Sequence, residues 1–315
     1  MGIGILEVML LHYFTLNNAP VPGVVGLLID LVFVQGFLFL SGFGLFYSFT
    51  KDSNIKRFYK KRFANVLIPY LIIAIPYYTY FFVTNRQDLV PVYSKSLEPI
   101  SSLVTYLGRI TTIGYWHEGN FNGMWYLSLT ILLYLMYPAV HQLFRSLVGG
   151  AKSSLLWLII IVLVRCLYPL MRHLIPTYCE VISFALANAY MFFVGMLFAK
   201  WSLKKESIDI EKLFVLGVLC WLAPHFKSIM SMIIICYVLF NLPRALGFFK
   251  SILSWFGKYT LEIYVLHLTL MSVFFIIGEK IQLNYNEIIA IAYSLSIILA
   301  IVVKKISVKF KTIIV

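Results

Sequence analysis

The chain is written as long apolar runs separated by short segments in which lysine and arginine collect. A helix needs about 20 apolar residues to cross a hydrocarbon core of ~30 Å. Lipid offers no partner to backbone amides, so only helices and closed barrels span it. Runs of this kind are read as membrane-spanning helices. About ten spans are read on this criterion, near 1–16, 24–49, 63–84, 123–145, 153–170, 181–200, 212–224, 228–242, 259–278 and 286–303. Hydrophobic residues make up 61% and charged residues 12%, with a mean hydropathy of +0.88. Soluble domains carry about twice that charge. The expectation is an all-α polytopic membrane helix bundle of about ten transmembrane helices, forming one domain over 1–315.

The net charge of +13 would suit nucleic acid in a soluble protein, but its placement argues against that partner. When loops are assigned to alternate sides, nineteen of the 26 basic residues fall on one side and seven on the other. Basic residues stay inside, so both termini are expected in the cytoplasm. The four cysteines, Cys166, Cys179, Cys220 and Cys236, have no metal-ligand spacing and read as apolar packing residues. No metal site is expected.

Polar groups inside spans carry the functional signal, because burying them is costly. His12 lies in the first span, on the outer half if that span runs outward. A neutral imidazole can take a proton from a hydroxyl near physiological pH. Asp30 is the one acid in the run from Val21 to Phe49, and it enters at similar depth. It is expected to pair with His12 and orient the ring. The first span is short: some sixteen residues precede the turn at Asn17, Asn18, Ala19 and Pro20. The shortfall is expected before Met1. An amphipathic piece over 101–113, interrupted by Arg109, reads as interfacial.

Two loops add candidates. Residues 51–62 carry six basic groups and one acid, and lead into the third span through Lys61 and Arg62. A cluster of this kind suits anionic lipid or a phosphorylated donor, since arginine forks match phosphate. On the opposite side, 114–123 offers Trp116 and Asn120, an aromatic face and an amide suited to a sugar or to the membrane interface. Glu262 and His267 lie five apart on the ninth span, about 140° around the helix. His267 is read as a second site residue.

Five stretches together resemble acyltransferase family 3, integral membrane proteins that include polysaccharide O-acetyltransferases. GIGILEVMLLH resembles the first helix with its functional histidine, here His12. The run Phe37 to Phe43 resembles the aromatic Ser-Gly motif, with Ser41. FYKKRFANVLIPY resembles the basic entry to the third helix, with Arg62, Pro69 and Tyr70. Met124 to Pro138 resembles the Trp-aromatic-Leu helix, with Trp125 and Tyr126. Phe256 to His267 resembles the Gly-Lys…Tyr…Leu-His segment. Three positions depart from the family: Met1 stands where an arginine usually precedes the histidine by eleven residues, Asn65 replaces an arginine, and Thr130 replaces a glutamate.

The resemblance implies an acyl-CoA donor, most simply acetyl-CoA, bound from the cytoplasm by Lys61, Arg62 and Ser41. It implies a glycan acceptor met by Trp116, Asn120, Trp125, Tyr126 and His267, with His12 as base and Asp30 beside it. The setting would be a bacterial cytoplasmic membrane, with lipid as the surrounding partner. The competing reading is a carrier or flippase for a glycan or lipid-linked intermediate, since intramembrane histidines and acids also mark proton-coupled transport.

Overall fold

The computed structural model describes residues 1–17, 23–85, 89–90, 95–96, 100–118, 123–148, 153–175, 185, 187–204, 210–222 and 247–314; on the second helix the side chains of 24, 25 and 27–34 lie outside that description. Among the described residues the secondary structure is helical but for a two-residue antiparallel ladder, Leu89–Val90 with Lys95–Ser96. The helices are α1 (Gly2–Leu16), α2 (Gly23–Lys51), α3 (Ile55–Thr84), α4 (Leu103–Ile110), α5 (Tyr115–Glu118) and α6 (Trp125–Val148). Then come α7 (Ser153–Leu174), α8 (Tyr190–Lys204), α9 (Ile210–Leu222), α10 (Gly247–Lys258), α11 (Thr260–Ile281) and α12 (Tyr285–Ile314).

Among the described residues, α3, α6, α7, α11 and α12 are long and apolar enough to cross a membrane, while α1 and α8 are shorter apolar helices. The protein is therefore an integral membrane helix protein. The span expected over 228–242 lies outside the described residues. Prolines sit inside α3 (Pro69, Pro76), α6 (Pro138) and α7 (Pro169). Membrane helices tolerate them because neighbouring groups satisfy the freed carbonyls.

Two compact units divide the chain. One contains Met1–Ile29, Lys60–Ser128 and Ala245–Val315, and the other Asp30–Tyr59 and Leu129–Arg244. In the second unit α2 crosses α8 at backbone contact. A Cβ added to Gly42 would fall 2.0 Å from the Phe192 carbonyl oxygen, and one on Gly195 would fall 2.1 Å from that of Phe39. Small residues at such crossings let membrane helices pack by van der Waals contact. Gln35 Nε2 donates to Asn188 Oδ1 at 2.6 Å, and the Trp157 indole donates to the Phe193 carbonyl at 3.0 Å.

In the first unit α1 and α11 rise together. Gly2 meets the backbone of Leu253 and Gly257 at the lower end, His12 meets His267, and Leu16 packs against the cluster of Leu268, Met271 and Ala292. α12 returns antiparallel, with Phe275 against Tyr285 and Lys304 against Glu262. Chain start and chain end thus lie on one side of this unit.

α1 begins beside Gly257, just before α11, and its last residue, Leu16, packs against the cluster of Leu268, Met271 and Ala292. His12 lies ten residues above Gly2, roughly 15 Å, and α11 runs fourteen residues, roughly 21 Å, beyond His267. The histidine pair therefore lies well inside the length of α11.

The amphipathic piece has one open face and one buried face. Its outward face is open, with Val104 81% exposed, yet Arg109 is 1% exposed and its carbonyl accepts the Tyr70 hydroxyl at 2.6 Å. Tyr70 is eight residues past Arg62 on α3, roughly 12 Å along the axis. α4 therefore folds back against the middle of α3, where Thr79 and Phe82 also meet Tyr106.

Candidate active site

The two histidines meet because α1 and α11 run in the same direction and in step. His12 Nδ1 lies 3.0 Å from His267 Nε2, and the rings are 14° from coplanar with centroids 5.2 Å apart. That separation is close to the nitrogen-to-nitrogen distance plus two ring radii. The imidazoles therefore lie end to end, as an in-line hydrogen bond requires, rather than face to face. His267 Nδ1 donates to the Ile263 carbonyl one turn back at 2.9 Å. His12 is 8% exposed and His267 fully buried. His12 Nε2 makes no hydrogen bond among the described residues.

Two tyrosines brace the pair. Tyr293 of α12 donates its hydroxyl to the Met9 carbonyl of α1 at 2.5 Å, and its ring stands 6.1 Å from that of His267. Tyr264, three residues before His267, has its ring 6.1 Å from the imidazole and donates its hydroxyl to the Gly123 carbonyl. Gly123 has φ 68°, a conformation that favours glycine, and it turns the chain into α6. Tyr126 then packs edge-on against Tyr264 at 5.7 Å, with the buried Trp125 beside it.

Of the residues expected in the site, His12, His267 and Tyr126 are brought together, with Trp125 next to them. Asp30 lies on α2, but its side chain is outside the described residues; the described hydrogen-bond partner of His12 is His267. Lys61 is exposed and Arg62 half-buried in the opening turns of α3, and no described contact of the histidines reaches them. Ser41 is half-buried on α2. Its neighbour Gly42 has a packing reason to be glycine. Trp116 is half-buried against Tyr115, and Asn120 lies outside the described residues. Tyr264 and Tyr293 were missed, since a tyrosine among apolar residues carries no mark in a single sequence. Among the described residues no three His, Cys, Asp or Glu side chains gather as a metal site would need.

The fold and site define a membrane helix protein with a buried, hydrogen-bonded histidine pair between two of its helices. The family model described as "Acyltransferase domain" in acyltransferase family 3 matches residues 2–305, and the chain belongs to that family. It is a membrane acyltransferase. No curated protein and no solved structure matches it.

Proposed function

We propose that this protein moves an acyl group, most simply acetyl, from acyl-CoA to a hydroxyl of a cell-surface or exported glycan, in a bacterial cytoplasmic membrane with both termini in the cytoplasm. The observation that carries the reading is the buried His12–His267 pair with His12 Nε2 uncommitted. In the reaction the acceptor O–H gives its proton to His12 Nε2 as the oxygen attacks the thioester carbon. The C–S bond then breaks, and the thiolate takes the proton from His12, leaving the base as it began. A side chain placed to make such transfers contributes about 10²–10⁴-fold.

Lys61 and Arg62 are assigned to the donor's phosphates, since both open α3 on the side that carries the basic residues. Ser41 is assigned to the donor on the strength of its motif. Asp30 supplies a negative charge to the imidazolium that forms on His12. Tyr126, Trp125, Trp116 and Asn120 are assigned to the acceptor, whose sugar rings suit aromatic faces and whose hydroxyls suit an amide. The test is mass spectrometry of surface glycans from cells with and without the gene. A mass difference of one acyl group per modified sugar is expected, and identical glycans would remove the assigned acceptor.

A further inference from the structure

The segments bearing the two histidines are copies of one pattern. Leu6-Glu7-Val8-Met9-Leu10-Leu11-His12 and Leu261-Glu262-Ile263-Tyr264-Val265-Leu266-His267 both read Leu-Glu-(Val/Ile)-x-x-Leu-His. A glycine stands ten residues before each histidine, and Gly2 and Gly257 touch. Equal segments on helices that rise in step bring equal side chains to one level, so the rings meet. Either histidine of such a pair could in principle be the base. The hydrogen bonds decide between them.

We propose that His267 is a positioning residue that fixes which nitrogen of His12 is basic. A carbonyl oxygen can only accept, so the 2.9 Å contact to Ile263 puts a hydrogen on His267 Nδ1. A neutral imidazole carries one N–H, which makes His267 Nε2 an acceptor. His12 Nδ1, 3.0 Å away, must then be the donor. Its own ring is left with a lone pair on Nε2, the nitrogen that no described residue occupies.

The opposite direction would have His267 donate from both nitrogens as a cation. That charge would sit on a side chain with no exposure, against the rings of Tyr264 and Tyr293, with no described carboxylate bonded to it. An isolated buried charge is far more costly than a neutral hydrogen-bonded ring. The chain of bonds therefore runs one way, from His12 through His267 to a main-chain carbonyl fixed by α11.

The inference rests on His12 being the base. During transfer His267 neither gains nor loses a proton. When His12 Nε2 takes the acceptor's proton, its Nδ1–H becomes a cationic donor and the bond to His267 strengthens. His267 thus does with a neutral acceptor what a carboxylate does for other catalytic histidines: it holds the tautomer and the ring angle.

The experiment is ¹⁵N NMR of histidine-labelled protein in lipid nanodiscs, with His12 assigned by the signal lost in His12→Ala. Expected is a His12 with its hydrogen on Nδ1 in the native protein and in His267→Gln, whose amide oxygen still accepts. His267→Ala should release the tautomer and show hydrogen on Nε2. In acyl transfer, His267→Ala should lower kcat by about 10²–10⁴-fold with the donor KM little changed, and Gln should recover most of the loss. A native His12 protonated on Nε2 would overturn the proposal, as would equal kcat for the Ala and Gln variants. The native tautomer reads out without turnover, so an inactive protein would remove the proposed function while leaving this assignment to stand or fall by itself.

Discussion

Replacing Gly42 by alanine sets two effects of opposite sign against each other. On helix propensity alone, Gly→Ala in a helix interior should stabilise by up to about 1 kcal/mol. Packing says otherwise. The new Cβ would lie 2.0 Å from the Phe192 carbonyl oxygen, whereas ordinary contact begins at 3.4 Å, so α2 and α8 would have to part by 1.4 Å at that point. The obstacle is main chain and cannot swing aside. Overpacking of this kind typically costs about 1–3 kcal/mol, occasionally more, and a rigid backbone clash belongs at the upper end. The expected net change is a loss of about 1–2 kcal/mol. Gly195→Ala should behave alike, because its Cβ would meet the Phe39 carbonyl at 2.1 Å across the same crossing. Once one alanine has parted the helices, the second meets less resistance. The double variant should therefore lose clearly less than the two single losses added, a coupling expected of neighbours. Equilibrium unfolding in mixed micelles measures all three. A stabilised Gly42→Ala, or strictly additive losses, would refute the reasoning and return the Ser41-Gly42 motif to a role in donor binding alone.

Arg62→Ala should raise the KM for acyl-CoA more than that for the acceptor, and equal effects in steady-state kinetics would leave the loop as a topology signal only. Asp30→Asn keeps the shape and removes the charge, so turnover should fall with little change in stability; unchanged turnover would free Asp30 of any part in catalysis. Lys304→Ala should destabilise by about 3–5 kcal/mol, because it strands a fully buried Glu262 whose Oε1 now accepts from Lys304 at 3.0 Å. The apolar pair Glu262→Leu with Lys304→Met should recover most of that loss in the same unfolding assay.

The membrane class was legible because apolar length is a local property, visible in each span. His12 and His267 were each legible as polar groups where apolar ones belong. Their pairing was not, since the partners lie 255 residues apart and the expected partner of His12 was the nearer acid, Asp30. The shared Leu-Glu-(Val/Ile)-x-x-Leu-His pattern was the available clue. The neighbours of α1 were hidden too, because a sequence shows where an apolar run stops and not that its last residue, Leu16, packs against the cluster of Leu268, Met271 and Ala292. The burial of Arg109 was hidden for a related reason: periodicity shows that a helix has two faces, not which neighbour covers the polar one. Tyr70, whose hydroxyl donates to the Arg109 carbonyl, belongs to a helix whose approach no local pattern encodes.

The central claim is that a buried imidazole in this membrane protein drives acyl transfer, and purified protein in proteoliposomes tests it directly. Acyl-CoA carrying a labelled acyl group is supplied on one face and a glycan acceptor on the other, and label on the acceptor is followed for the native protein and for His12→Ala at matched protein levels. The account predicts transfer by the native protein and a loss of about 10²–10⁴-fold in the variant. Transfer within a few-fold of native by His12→Ala would contradict it.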